Sequence, residues 1–598
     1  MLFLLKSLIT LLALLAACVV LPQLPLGLLR IVLRCVGWVI RKRTQSRREA
    51  ILNRVRADEE ELRSKRPKTV PSSATQAEDE DWEQVDPSSS SSSSGVGSGT
   101  AGKQNSQPSE NEDWSGIIGF FHPFCNAGGG GERVLWEAVR ATQKRWPKAV
   151  CAIYTGDYEV TKATMLERVQ TRFNIQLHAP TVELLYLTSR KYVQSSMYPY
   201  MTLLGQSLGS LIVGYDAFTL LVPDIFIDTM GYAFAIAFCK LLFPGVPTAA
   251  YVHYPTISTD MLQSLDDQTG LQGVNAGAGK GLKGTLKRKY WLAFARLYGW
   301  VGSHVDVVMC NSSWTAAHIR ALWGPSRASL PALTSTSKDT PGSPDHPTVI
   351  FPPTAVSELE SKIVVSEATE RDLRTPTILY IAQFRPEKNH PLVLRSFARF
   401  LKTRHHHHHH HHHISSSPAD NDPEHELHNN ANNVAPQDPK LVLIGSVRHA
   451  SPDETHIYNL RLLAHELRIR DQTTFLCDAS WPTILQHLST SSVGVNAMWN
   501  EHFGICVVEY QAAGLICVVH DSGGPREDIV VDLGDGATGF HAQTEEEFAA
   551  AFEAALALSA EEKMAMRLRA RKSALRFTEE EFAVKWVGEI GKLVRMTA

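Results

Sequence analysis

The sequence predicts an α/β protein with two doubly wound, Rossmann-like domains facing a cleft. Three observations carry that expectation. Apolar runs alternate with helical stretches from Gly116 to about Thr348, and a second such series begins near Thr375. Alternation of this kind implies parallel sheets buried on both faces. Glycine-rich, basic and acidic loops follow the ends of these apolar runs, where open α/β sheets bind their ligands. The chain, at 598 residues, is long enough for two or three domains with large cores.

The elements follow in order. Ser7–Leu29 carries no charge and is dominated by Leu, Ala and Val. At about 1.5 Å per helical residue it is long enough to cross a bilayer. Pro22 and Pro25 end or kink the helix, leaving Ser7–Leu21 as its firm part. Ala16-Ala17-Cys18 leaves a cleaved signal peptide as the other reading. Behind the run stand Arg30, Arg34, Arg41, Lys42, Arg43, Arg47 and Arg48. Positive charge stays cytosolic, so a single-pass anchor with the bulk of the chain in the cytosol is expected. Arg30–Ile40 reads as an interfacial helix, so residues 1–40 form the anchor. Residues 41–115 read as a disordered tether, with the acidic patch "AEDEDWEQVD" and a serine run over Ser88–Ser94. Asp79-Glu80-Asp81 has DxD form, but a solvated tether is the plainer reading.

Order begins at "GIIGFFHPFCNAGGGGERVLWEAVRAT". Ile117–Phe121 is a short strand, Gly128–Gly131 a loop, and Glu132–Thr142 has helical spacing. Further strands lie in "AVCAIYTG", "PDIFIDTMG", "TAAYVHYP" and "VDVVMCNSS", giving a first domain over 116–350. Thr229–Tyr251 is largely apolar with one Lys; it reads either as a buried helix and strand or as a face dipping into a bilayer. The second domain, 375–575, has strands in "TPTILYIAQF", "KLVLIGSV", "TTFLCDA", "VGVNAM" and "LICVVHDSGG". A helix over 576–598 closes the chain. Two insertions interrupt the plan: Gly324–Pro344, and Thr403–Pro439 with nine consecutive histidines, His405–His413. The histidine tract reads as a floppy loop rather than a metal site. Asn311-Ser312-Ser313 is a glycosylation triplet that a cytosolic location would leave silent.

Composition excludes some classes. A net charge of −3 gives no overall pull toward nucleic acid. The nine cysteines form no CxxC pair, which argues against zinc and disulfide frameworks and for a reducing compartment.

Three loops carry chemistry. "NAGGGGER" precedes a helix; its glycines let backbone N–H groups approach an anion, or make a tight strand–helix turn. It has neither Walker nor GxGxxG spacing. "AQFRPEKNH" puts Arg385 and Lys388 at a strand end, which suits a diphosphate, though a solvated basic loop has the same composition. "NEHFGICVVEY" holds Glu501 and Glu509 with seven residues between them. A carboxylate accepts two hydrogen bonds, which suits vicinal hydroxyls. Glu509 can hold a ribose diol and Glu501 a hexose, while Phe503, Gly504 and Ile505 offer backbone N–H groups.

Together, "NEHFGICVVEYQAAG", "FRPEKNH", "SGGPRED", "HPFCNAGGGGERVLW", "PDIFIDTMGYAF" and "YVHYPTISTDML" resemble glycosyltransferase family 4, whose members are retaining enzymes of the GT-B fold. The likeness is nearest to the GDP-mannose-dependent mannosyltransferases among them and covers most of 116–598, excepting the insertions. It implies a GDP-mannose donor, a dolichyl-diphosphate-linked oligosaccharide acceptor, the endoplasmic reticulum membrane and neighbouring mannosyltransferases as partners. No cofactor, no metal and no nucleic acid are implied. By the same resemblance Gly129 and Gly130 sit near the donor diphosphate, Arg385 and Lys388 neutralise the leaving GDP, and Glu509 binds the ribose. Glu501 then binds the mannose, and His253 faces mannose or acceptor from the first domain. The rival readings are another membrane transferase of the family, such as phosphatidylinositol N-acetylglucosaminyltransferase, or an inactive anchored scaffold.

Overall fold

The computed structural model describes residues 26–65, 114–267, 269, 273, 275–328, 346–414, 438–448 and 451–597. Within them lie two wholly parallel sheets. The first has seven strands in the order β3-β2-β1-β4-β5-β6-β7. These are β1 Ile117–Phe121, β2 Val150–Thr155, β3 Val182–Tyr186, β4 Ile225–Asp228, β5 Thr248–Val252, β6 Val307–Cys310 and β7 Thr348–Val349. The second has six, in the order β10-β9-β8-β11-β12-β13. They are β8 Thr375–Ile381, β9 Lys440–Gly445, β10 Thr473–Cys477, β11 Ser491–Asn496, β12 Ile516–His520 and β13 Gly539–Ala542.

The central strands are buried end to end because helices cover both faces; β1, β2 and β5 have no exposed position. Alternate residues serve opposite cores. Ile117, Phe121, Ala152 and Tyr154 face one apolar layer. Ile118, Phe120, Cys151 and Ile153 face the other. In each sheet the strand order reverses at one point, between β1 and β4 and between β8 and β11, where both pairs run in parallel register. A reversal leaves a crevice beyond the strand C-termini.

The C-terminal helix Glu579–Thr597 returns to the first domain. Phe582, Trp586 and Ile590 are buried in its core, and the Trp586 indole N–H donates to Thr142 Oγ1 at 3.0 Å.

Several expectations change. The tether over 41–115 is corrected at its start: a single helix runs Leu26–Lys65, taking in the interfacial stretch Arg30–Ile40. Gly37, Ile40, Thr44, Ile51 and Val55 form a sparse helical stripe buried on the first domain. Arg48–Asp224 (2.6 Å), Arg54–Glu183 (2.8 Å) and His178–Glu59 (2.6 Å) flank that contact. The stripe is too thin to register against a charged background, and the domain supplies the rest of the burial. Residues 1–25, with most of the expected span, and the acidic and serine-rich part of the tether lie outside the described residues. Among those described, no helix is long and apolar enough to cross a membrane. The expected loop over Thr403–Pro439 begins instead as helix, since His390–Ile414 continues through the histidine tract. Likewise helix Ser313–Ala328 enters the insertion expected from Gly324. Thr229–Tyr251 forms a buried helix, Ala233–Leu242, and strand β5.

Candidate active site

All four loops at the two reversal points converge. β1 leads to the glycine loop, β4 to Thr229–Tyr232, β8 to "FRPEK", and β11 to "NEHFG". Sequence rules set the shape of each. Asn500 (φ 51°) and Gly504 (φ 104°) take left-handed conformations that turn the chain from β11 into helix Ile505–Ala513. Gly523 (φ 66°) and Gly524 brace that turn. A Cβ at Gly523 would lie 2.4 Å from the Glu501 carbonyl, and the Gly524 N–H donates to the same oxygen at 2.8 Å. "SGGPRED" is therefore the buttress of the glutamate loop. On the other side, the Tyr380 hydroxyl donates to the Lys388 carbonyl at 2.6 Å and fixes the basic turn.

Lys388 and Glu501 meet. The ammonium lies 2.5 Å from Glu501 Oε2, with Met498 Sδ at 3.2 Å and the Asn496 side-chain amide 3.4 Å from the same carboxylate. Burial opposes charge on Glu501, but the Lys388 ammonium outweighs it and holds the carboxyl below its ordinary range. Burial likewise opposes the charge of Lys388, and Glu501 holds it above its ordinary value. This ion pair was not part of the sequence reading, which gave the two residues separate ligand groups. Arg385 stands beside a different acid. Its Nε is 3.9 Å from Asp453, while Arg448 grips both Asp453 oxygens at 2.7 and 3.0 Å. Arg385 Nε is buried without a hydrogen-bond partner among the described residues.

Glu509 lies one turn into helix Ile505–Ala513. Burial pushes its carboxyl up to about 7, against the pull of Arg133 from the first domain. Phe503 packs its ring between Phe351 and Phe577, at 5.7 and 5.5 Å, so only its backbone faces the loop. Ile505 touches the glycine loop: a Cβ at Gly130 would lie 2.7 Å from its Cδ1. The Gly129 N–H donates to the Glu132 carboxylate at 2.7 Å. His253 lies behind this loop, its Nε2 3.7 Å from where a Cβ on Gly131 would be. That Nε2 donates to the Thr229 carbonyl at 3.1 Å, leaving Nδ1 as the ring's acceptor. Burial pushes His253 down to about 4, so the ring is neutral.

Sequence reasoning missed the seam beside this site. The Asn500 side-chain amide donates to Asp260 of the first domain at 2.7 Å, and the Trp314 indole N–H donates to the same oxygen at 3.2 Å. His318 lies 3.4 Å from it. Tyr254 stacks on His502 at 4.6 Å, and the Ser313 N–H donates to Asp528 at 2.8 Å. The Asn500–Asp260, Tyr254–His502 and Ser313–Asp528 contacts join one domain to the other, while Trp314 and His318 hold Asp260 in place from within the first; only the adjacency of His502 to Glu501 and of Tyr254 to His253 hinted at it.

Comparison with known proteins adds to this geometry. Residues 115–323 match the family described as "ALG11 mannosyltransferase N-terminus", and residues 424–573 match "Glycosyl transferases group 1". A Neurospora crassa protein named GDP-Man:Man(3)GlcNAc(2)-PP-Dol alpha-1,2-mannosyltransferase is 53% identical over 95% of this chain and 94% of its own length. A human protein of the same name is 39% identical over 80% of this chain and 87% of its own. Among solved structures, an alpha,alpha-trehalose 6-phosphate synthase from Burkholderia multivorans aligns at TM-score 0.53 with 12% identity, over 81% of this chain and all of that one. A sucrose-phosphate synthase from Thermosynechococcus elongatus aligns at 0.51 with 14% identity, over 80% of this chain and 98% of that one. At such identities these structures speak for the two-domain α/β fold alone.

Proposed function

The chain belongs to the family of GDP-Man:Man(3)GlcNAc(2)-PP-Dol alpha-1,2-mannosyltransferases, and from that premise we propose how it transfers mannose from GDP-mannose onto a dolichyl-diphosphate-linked oligosaccharide. The reading places this reaction on the cytosolic face of the endoplasmic reticulum, within a GT-B cleft, with retention at the anomeric carbon. The observation that carries it is the meeting of Lys388 with Glu501 where the two reversal-point loops of the second domain face the glycine loop of the first.

In this reading Glu509 holds the ribose diol, and the N–H groups of Gly130, Phe503, Gly504 and Ile505 hold diphosphate oxygens, while Gly129, its N–H given to Glu132, lets the diphosphate approach the backbone. Arg385 and Lys388 carry the charge that grows on the leaving GDP. An ammonium has three N–H groups, so Lys388 can keep Glu501 while it takes a phosphate oxygen. Glu501, fixed by Lys388 and Asn496, holds mannose hydroxyls. The bond between mannose C1 and the β-phosphate oxygen breaks, and a bond from C1 to the acceptor hydroxyl oxygen forms on the same face. The acceptor proton passes to the departing phosphate. His253, neutral and with Nδ1 as acceptor, orients the acceptor hydroxyl or a mannose hydroxyl.

The test is purified full-length chain with labelled GDP-mannose and a lipid-linked oligosaccharide. The expected product carries new α-1,2-linked mannose. Transfer from UDP-N-acetylglucosamine instead would favour the phosphatidylinositol-directed reading, and GDP binding without transfer would favour a scaffold.

A further inference from the structure

The helix after the glycine loop and the helix after the glutamate loop meet at their N-termini. Gly130 opens helix Gly130–Arg145 and Ile505 opens helix Ile505–Ala513. A Cβ on Gly130 would lie 2.7 Å from Ile505 Cδ1, so the glycine leaves the room that the isoleucine fills. Residues three and four positions on share a helix face with the first. One turn past the contact, that face carries Arg133 on the first helix and Glu509 on the second. The packing thus sets an arginine of the first domain beside a glutamate of the second. The electrostatics agree: among the described residues, Arg133 is the charge that acts on Glu509 against its burial.

Arg133 is only partly committed elsewhere. One terminal nitrogen donates to Glu579 Oε1 at 2.6 Å, at the start of the C-terminal helix. Its Nε is buried and has no hydrogen-bond partner among the described residues. Glu579 does not depend on it alone, because Arg140 donates to Glu579 Oε2 at 2.8 Å and to Glu137 Oε1 at 2.9 Å. Burial pushes Glu137 up to about 7, so at neutral pH this acid takes less than a full charge from the two arginines. Arg133 keeps charge, and one N–H, to spare for Glu509.

We propose that Arg133 is a positioning residue for the donor ribose, acting across the cleft through Glu509. This deepens the mannosyltransferase reading and rests on its assignment of Glu509 to the ribose. A carboxylate can accept from both hydroxyls of a diol, whereas a carboxylic acid has spent one oxygen on its own proton. Burial alone drives Glu509 toward the acid, and a guanidinium beside it opposes that. The ribose is therefore gripped well only while the two helix N-termini stand together. One domain supplies the acceptor of the hydrogen bonds and the other keeps it charged.

Calorimetric titration of the full-length chain with GDP and with 2′,3′-dideoxy-GDP tests this, since the two differ only in the ribose hydroxyls. Wild type should bind GDP the more tightly. In Arg133→Met at pH 7, GDP should weaken about fivefold, and its rise in affinity with pH should begin about one pH unit higher, because burial then acts on Glu509 unopposed. Dideoxy-GDP should change by less than about twofold, since no diol is lost. Arg133→Lys keeps a cation and should recover most of the GDP affinity. In a Glu509→Gln background, Arg133→Met should change nothing further. Should the methionine variant not fold, Arg133→Gln carries the same comparison.

The neighbours of Glu509 leave this pH window clear. Burial pushes Cys506 up to about 12 and Tyr510 well above its ordinary range, and His253 is down at about 4. Glu137 does titrate near 7, and the Glu509→Gln background isolates its share. Equal losses for both nucleotides in Arg133→Met, or an unmoved GDP profile, would overturn the proposal while leaving Glu509 on the ribose. Wild type that binds both nucleotides alike would overturn it differently, by removing the ribose role of Glu509 itself.

Discussion

Glu509 and Glu501 are both glutamates of one loop–helix unit, yet their surroundings drive them apart. Glu501 is held charged by Lys388, whereas burial pushes Glu509 up to about 7. The consequence can be measured. A ribose diol donates to a carboxylate better than to a carboxylic acid, so GDP affinity should rise between pH 6 and pH 8 in the wild-type chain and stay flat in Glu509→Gln. Linkage gives a second reading on the unliganded protein. An acid whose folded value lies above its ordinary 4.5 favours folding while protonated, and that stability is lost as pH rises from 4.5 to about 7. Thermal melts of Glu509→Gln should lack this decline. The positions of these residues were legible from the motifs: Arg385 and Lys388 lie in the turn after β8, Glu501 in the loop after β11 and Glu509 in the helix that follows it. Their pairing was not. Lys388 and Glu501 are 113 positions apart, and Asp453, which holds Arg448 beside Arg385, sits in a helix the motif does not touch. No local pattern encodes such contacts.

At the level of elements, the reversal-point loops owe their closure to the seam that the sequence did not disclose. Asp260 accepts from Asn500 and from Trp314 and so fastens the glutamate loop to the acceptor-side domain. Asp260→Ala should leave GDP binding, which in the proposed reading rests mainly on Glu509, Arg385 and Lys388 of the second domain, within about twofold. Turnover should drop about tenfold, in line with roughly 1.5 kcal/mol for one lost charge-assisted hydrogen bond. Isothermal titration and initial rates separate the two effects, and a parallel loss of GDP affinity would contradict the assignment. The strands were legible because a buried parallel strand is an apolar run; Ile117–Phe121 was expected and is observed. The helix Leu26–Lys65 was legible only to Ile40, since beyond it the buried stripe is a few residues among many charges. Ile51 is 2% exposed in that stripe. Ile51→Asp should release the helix, seen as new proteolytic cleavage within 41–65, while GDP affinity stays unchanged.

For the molecule as a whole, the chain crosses between its domains twice, out after β7 and back in the C-terminal helix. The first domain therefore depends on the last residues of the sequence. Trp586 is fully buried against Phe120 and Tyr251, with ring centroids at 6.2 and 6.5 Å. Trp586→Ala should cost ~3–5 kcal/mol and lower the first domain's melting transition, with the second domain melting as before. Calorimetry would resolve the two. The two-domain plan was legible in two successive series of strands and helices; the return of the final helix was not, because an amphipathic helix does not name its partner. What the whole arrangement claims is a division of the donor: ribose to Glu509, diphosphate to Arg385 and Lys388, mannose to Glu501. The most direct measurement is a GDP titration and a single-turnover rate, run side by side on Glu501→Gln and Glu509→Gln. Glu501→Gln should bind GDP at least as tightly as wild type, since Lys388 is released toward the phosphates, and transfer mannose roughly tenfold to a hundredfold more slowly. Glu509→Gln should weaken GDP and GDP-mannose alike by a similar factor. Normal GDP binding by Glu509→Gln, or normal turnover by Glu501→Gln, would contradict it.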